Sequence, residues 1–149
     1  MTTSVSPTQP AERIVLGRLV WAGPFAIVAA IAANIVTQQI AVAVLQPDPQ
    51  FLPLTLPVPI VFTLVGVLGA VIAYALVARF SHRPVWLFRR IAFVTLLISF
   101  IPDILMLITG FNPGITFANV VVLMVMHVVA WAVSVGVLTR FTRQFVVTG

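Results

Sequence analysis

LVWAGPFAIVAAIAANIVTQQIAVAVL, residues 19–45, contains no charged side chain from end to end. A hydrocarbon core of about 30 Å is crossed by about 20 helical residues, since each adds about 1.5 Å. The stretch is long enough to span a bilayer. It is too long for the apolar core of a cleaved signal peptide, which runs to about 7–15 residues. Preceded by the polar segment MTTSVSPTQPAER (1–13), it reads as a retained first span.

Working outward, three further apolar runs of spanning length occupy about 59–78, 91–111 and 116–138. The links between them are short: QPDPQFLPLTLPVP (46–59), RFSHRPVWLFRR (79–90) and NPGI (112–115). The composition agrees, with 61% hydrophobic and 7% charged residues and a mean hydropathy of +1.18, outside the range of soluble domains. The expected fold is an all-α integral membrane four-helix bundle. One membrane domain is expected over 17–141, between a polar N-terminal tail (1–16) and a short C-terminal tail (142–149).

The basic residues orient it. Arg13 and Arg18 precede span one, Arg79, Arg83, Arg89 and Arg90 separate spans two and three, and Arg140 and Arg143 follow span four. The other two loops have no basic residue, and one carries Asp48. With four spans the arginine-bearing regions share a side, and basic loops stay in the cytoplasm. Both termini are therefore expected inside, with a bacterial cytoplasmic membrane as the location. The +5 charge does not imply nucleic acid, because the arginines sit between apolar runs rather than in a patch interleaved with aromatics. The absence of cysteine and lysine excludes disulfides, thiolate metal sites and Schiff-base cofactors.

The outer loop 46–59 contains five prolines among Phe51, Leu52, Leu54 and Leu56. Proline disfavours helix and biases its neighbours to extended forms, so an extended strap along the membrane interface is expected, as a connector rather than a lid. ARFSHR (78–83) and TRFTRQ (139–144) echo one another, which would make the two hairpins a parallel repeat of the kind some transporters use.

Polar residues inside the spans are the candidates for function. Asp103 and His127 each lie 13 residues from the arginine that closes their span, Arg90 and Arg140, about 20 Å in. Asn34 lies at a similar depth, with Gln38 one turn further out. At the matching level of span two stand Gly66 and Gly69, so a small cavity is expected there, opening outward along Asn34 and Gln38. An ionisable group at such depth costs about 2.5–3.5 kcal/mol and normally faces a partner in the interior. Asp103 is offered His127 and Asn34. Pro102, just before it, denies the carbonyl of Ile98 its helical donor. Trp131 and Ser134 follow His127 at i+4 and i+7, on the same face. A ligand or proton site is therefore expected at Asp103, His127, Asn34, Gln38, Trp131, Ser134 and Pro102, against the competing reading of a structural polar triad. Trp21 and Trp86 read as interfacial residues, and His82 as a solvated one.

With FIPDILML (100–107) and VLMVMHVVAWAV (122–133) in view, the chain resembles a family of small bacterial four-helix membrane proteins of unknown function. The resemblance rests on Pro102–Asp103 and Met126–His127. It implies an inner-membrane protein and no activity.

The favoured function is binding of a small ligand, or proton-coupled transport, and transport would need a homodimer to enclose a path. The alternatives are a membrane-embedded accessory subunit, in contact with a quinone or lipid, and a lipid-modifying enzyme with Asp103 and His127 as acid and base. Enzymatic activity is the less favoured, since no phosphate-binding motif or metal cluster accompanies the pair. No cofactor is implied, because haem of the bis-histidine kind needs two histidines at depth. The expected partners are the lipid bilayer and a hydrophobic small molecule.

Overall fold

The computed structural model describes residues 11–146. Four helices make up the body: α1 (Leu19–Leu45), α2 (Pro57–Phe80), α3 (Pro84–Thr109) and α4 (Phe117–Thr142). All four are long and apolar enough to cross a membrane. Pro57 and Pro84 begin their helices where a missing N–H has no cost. The Thr116 hydroxyl caps α4 by accepting the Asn119 N–H at 3.2 Å. Gly110, at φ 62°, ends α3 in the left-handed conformation. α1 and α3 run unbroken through Pro24 and Pro102.

α1 packs against α4 and α2, α3 against α4 and α2, and α2 meets α4 across the middle, so α1 and α3 stand at opposite corners. The packing of α1 follows a single face at four-residue spacing: Ala22, Ala26, Ala30, Asn34 and Gln38 are all buried. Small side chains let helix backbones approach closely where lipid supplies no hydrophobic drive. Elsewhere the surface is apolar. No more than 28% of the most apolar stretch of any span is buried inside the protein, the reverse of a water-soluble bundle.

The two ends of the bundle differ. At one, Val15 N–H donates to the Thr142 carbonyl (3.1 Å), and Tyr74 and Thr142 join through their hydroxyls (2.8 Å). Thr142 gives its own hydrogen to the Leu138 carbonyl, so the Tyr74 hydroxyl is the donor to Thr142. The Tyr74 ring lies 4.6 Å from that of Phe88. The start of α1, end of α2, start of α3 and end of α4 thus meet, and the arginines lie at this end. Ala22, Ala26, Ala30, Val67, Tyr74, Phe88, Val135 and Leu138 pack there as a hydrophobic core.

At the opposite end the segment 46–56 crosses the bundle. It is not the extended interfacial connector expected from its prolines. It turns at Asp48–Phe51, makes a 3-10 turn at Leu52–Leu54, and buries Phe51 and Leu54 against Leu123 and Met126. Gln50 N–H on the Asp48 carboxylate (2.8 Å) stabilises the turn. The two loops at this end touch: a Cβ on Gly114 would stand 2.5 Å from Asp48 Cβ, so only glycine fits.

Two further expectations are corrected, and the two ends of the chain add a feature of their own. α3 begins at Pro84 rather than near 91, because Arg89 and Arg90 limit the apolar span but not the helix, and long cationic side chains reach out from a helix to the interface. Residues 11–14 (β1) pair antiparallel with 143–146 (β2), Ala11 opposite Val146 and Ile14 opposite Arg143. Gly66 and Gly69 do not face the interior: both are exposed on the outer side of α2, where a Cβ on either would meet nothing, and the inward residues around this level are Thr63 and Val67.

Candidate functional site

Asp103, His127, Asn34, Gln38 and Thr63 lie in the half of the bundle below the strap. Counted from the helix ends, Asp103 is six residues from the end of α3 and His127 ten from the start of α4, about 9 and 15 Å. This is nearer the strap end than a count from the arginines implies, because α3 and α4 extend further at the arginine end.

Asp103 and His127 face each other across the α3–α4 contact, Oδ2 to Nδ1 3.4 Å apart. Asp103 is buried, whereas the His127 side chain is 39% exposed on the lipid-facing side. His127 Nδ1 lies 2.8 Å from the carbonyl of Leu123, one turn back. A carbonyl only accepts, so Nδ1 carries the hydrogen and directs it there. Nε2 is the nitrogen left for a further proton or a ligand. The Phe100 ring meets the imidazole edge-on at 6.3 Å. Asp103 Oδ2 receives no hydrogen bond among the described residues.

Asn34 stands at the other corner, on α1. Its amide donates to Thr63 Oγ1 on α2 at 2.8 Å, a partner that counting depth from the arginines does not find. Gln38 does not open outward. It donates to the Leu54 carbonyl at 2.6 Å and clamps the strap. Both amide oxygens, Asn34 Oδ1 and Gln38 Oε1, are buried and accept nothing among the described residues. Ser134 spends its hydrogen on the Trp131 carbonyl of its own helix (3.1 Å). Trp131 leans edge-on against Phe93, and its buried indole N–H finds no acceptor among the described residues. Pro102 leads into Asp103 within the continuous helix.

The layer therefore holds three buried oxygens, on Asp103, Asn34 and Gln38, that lack a donor. The structure brings Asp103 and His127 together, ties Asn34 to Thr63 and Gln38 to the strap, and turns Ser134 back on its own helix. No group of three or more metal-ligating side chains occurs among the described residues.

The model of a family of unknown function, DUF6069, matches residues 12–144. No curated protein and no solved structure matches the chain.

Proposed function

The chain belongs to DUF6069, a family whose description carries no activity, and we propose from its geometry that it is a binding protein of the bacterial cytoplasmic membrane. Its arginine end faces the cytoplasm, and the Asp103–His127 layer takes up a proton or a small hydrogen-bond-donating ligand. One observation carries this reading: buried acceptors on Asp103, Asn34 and Gln38 stand without donors among the described residues. A buried polar oxygen left unpaired costs about 1–3 kcal/mol, so a donor entering the layer recovers what the fold forgoes. His127, half-exposed on the α3–α4 face, provides a way in from the lipid that does not disturb the strap.

Binding is favoured over transport. The half of the bundle toward the arginine end is filled by the apolar core around Ala26, Ala30, Tyr74 and Leu138, and a polar solute has no route through it. Acid–base chemistry on a lipid would use the same pair, but nothing beside it orients a substrate.

The test is a nuclear magnetic resonance titration of the His127 ring nitrogens between about pH 5 and 8, with His82→Gln in both samples so that a single histidine is read. The wild-type ring responds to pH with a profile that changes in Asp103→Asn, while the fold is retained. Identical profiles in the two proteins overturn the proposal.

A further inference from the structure

A groove of about 590 Å³ lies at the arginine end, on the lipid-facing side of α3. Trp86, Arg89, Arg90, Phe93 and Val94 line it at helical spacing, and Arg143, at the start of β2, closes it from the end of α4. It is remote from the polar layer and takes no part in the function proposed above.

The chemistry of the groove is divided along the membrane normal. Arg89 and Arg90 are exposed, and among the residues whose side chains are described no carboxylate lies within ion-pair distance of either. Arg90 is held in place, its guanidinium 4.1 Å from the centre of the Trp86 ring, a contact that fixes a cation without neutralising it. Arg18 donates to the backbone carbonyl of Arg143 at 3.4 Å, so a further guanidinium stands close by. One turn deeper the lining becomes apolar. Phe93 and Val94 are about half exposed, with Phe93 braced against Trp131.

We infer that this groove is a binding site for an anionic phospholipid, with the headgroup phosphate on Arg89 and Arg90 and one acyl chain along Phe93 and Val94. Guanidinium groups match phosphate oxygens in pairs. A tryptophan at the boundary matches the headgroup level. Basic recesses between spanning helices are suited to anionic headgroups. A soluble anion would use the arginines and leave the apolar floor unoccupied. The floor commits the site to a lipid.

The test is native mass spectrometry of the chain released from micelles doped with equal amounts of phosphatidylglycerol and phosphatidylcholine. The wild type retains phosphatidylglycerol preferentially. Retention falls about fivefold for Arg89→Gln or Arg90→Gln alone and about thirtyfold for both. The charge-matched pair Arg79→Gln and Arg83→Gln, at the same end but outside the groove, leaves retention unchanged. The single variants carry the test if the double variant does not fold, with thermal unfolding as the check. Equal losses in both pairs would mean diffuse attraction and overturn the site, as would no preference for phosphatidylglycerol. Displacement of the lipid by glycerol phosphate as effectively as by phosphatidylglycerol would reduce the groove to a phosphate site and overturn the lipid assignment.

Discussion

Asn34 gives one amide hydrogen to Thr63, and its oxygen has no donor among the described residues. Hydrogen bonds between membrane helices average about 0.6 kcal/mol and reach about 1.7. Thr63→Val should therefore lower stability by about 1 kcal/mol in a mixed-micelle unfolding experiment. Adding Asn34→Leu should cost less than the sum of the two single changes, because a lost pair is less costly than a stranded partner. Strict additivity would show that the two side chains do not interact. Asp103, His127 and Asn34 are conspicuous in the sequence because each is polar in an apolar run, and depth alone places Asp103 beside His127. Thr63 is not conspicuous. The signal was there but faint: Thr63 and Tyr74, eleven residues apart, fall on one face of α2 and both are buried, whereas a count from Arg79 selects the outward-facing Gly66 instead.

The strap shows the same limit at the scale of an element. Five prolines in 46–59 announce that no helix continues there, but not that Phe51 and Leu54 descend into the bundle, since apolar side chains suit a membrane interface equally well. Its anchoring makes an outward opening along Gln38 untenable in the resting structure. In this cysteine-free chain, Asn34→Cys should be protected from an impermeant maleimide supplied on the strap side. Phe51→Ala removes about 3 kcal/mol of packing, which raises the open fraction on the order of 100-fold, and labelling should rise with it. Labelling at the same rate with and without Phe51 would mean that the strap does not seal this end. The start of α3 was obscured for a related reason: hydropathy marks where a helix enters lipid, and α3 is already wound for two turns when it does.

Across the whole molecule, the arginines gather at one end and the acidic Asp48 stands at the other. The charge rule is the ground for the proposed orientation, with the arginine end in the cytoplasm. Reporter fusions at residues 13 and 149 should both read cytoplasmic, and a periplasmic signal from either would overturn that orientation. The spans themselves were legible because length and charge alone define them; the pairing of 11–14 with 143–146 was not, because neither segment has a pattern of its own. That pairing has a consequence for biogenesis. The helix made first packs most extensively on the helix made last, and β1 finds β2 only when residues 143–146 have been synthesised. At about 5–20 residues per second, α1 waits in the membrane for roughly 5–20 s before α4 and the ribbon can complete its surroundings. During that interval Thr63, on the next span to emerge, is the partner that can shelter Asn34, while Gln38 waits only for the strap. The nascent protein thus passes through a half-assembled hairpin with its alanine face open, a state on which insertion factors and membrane proteases can act.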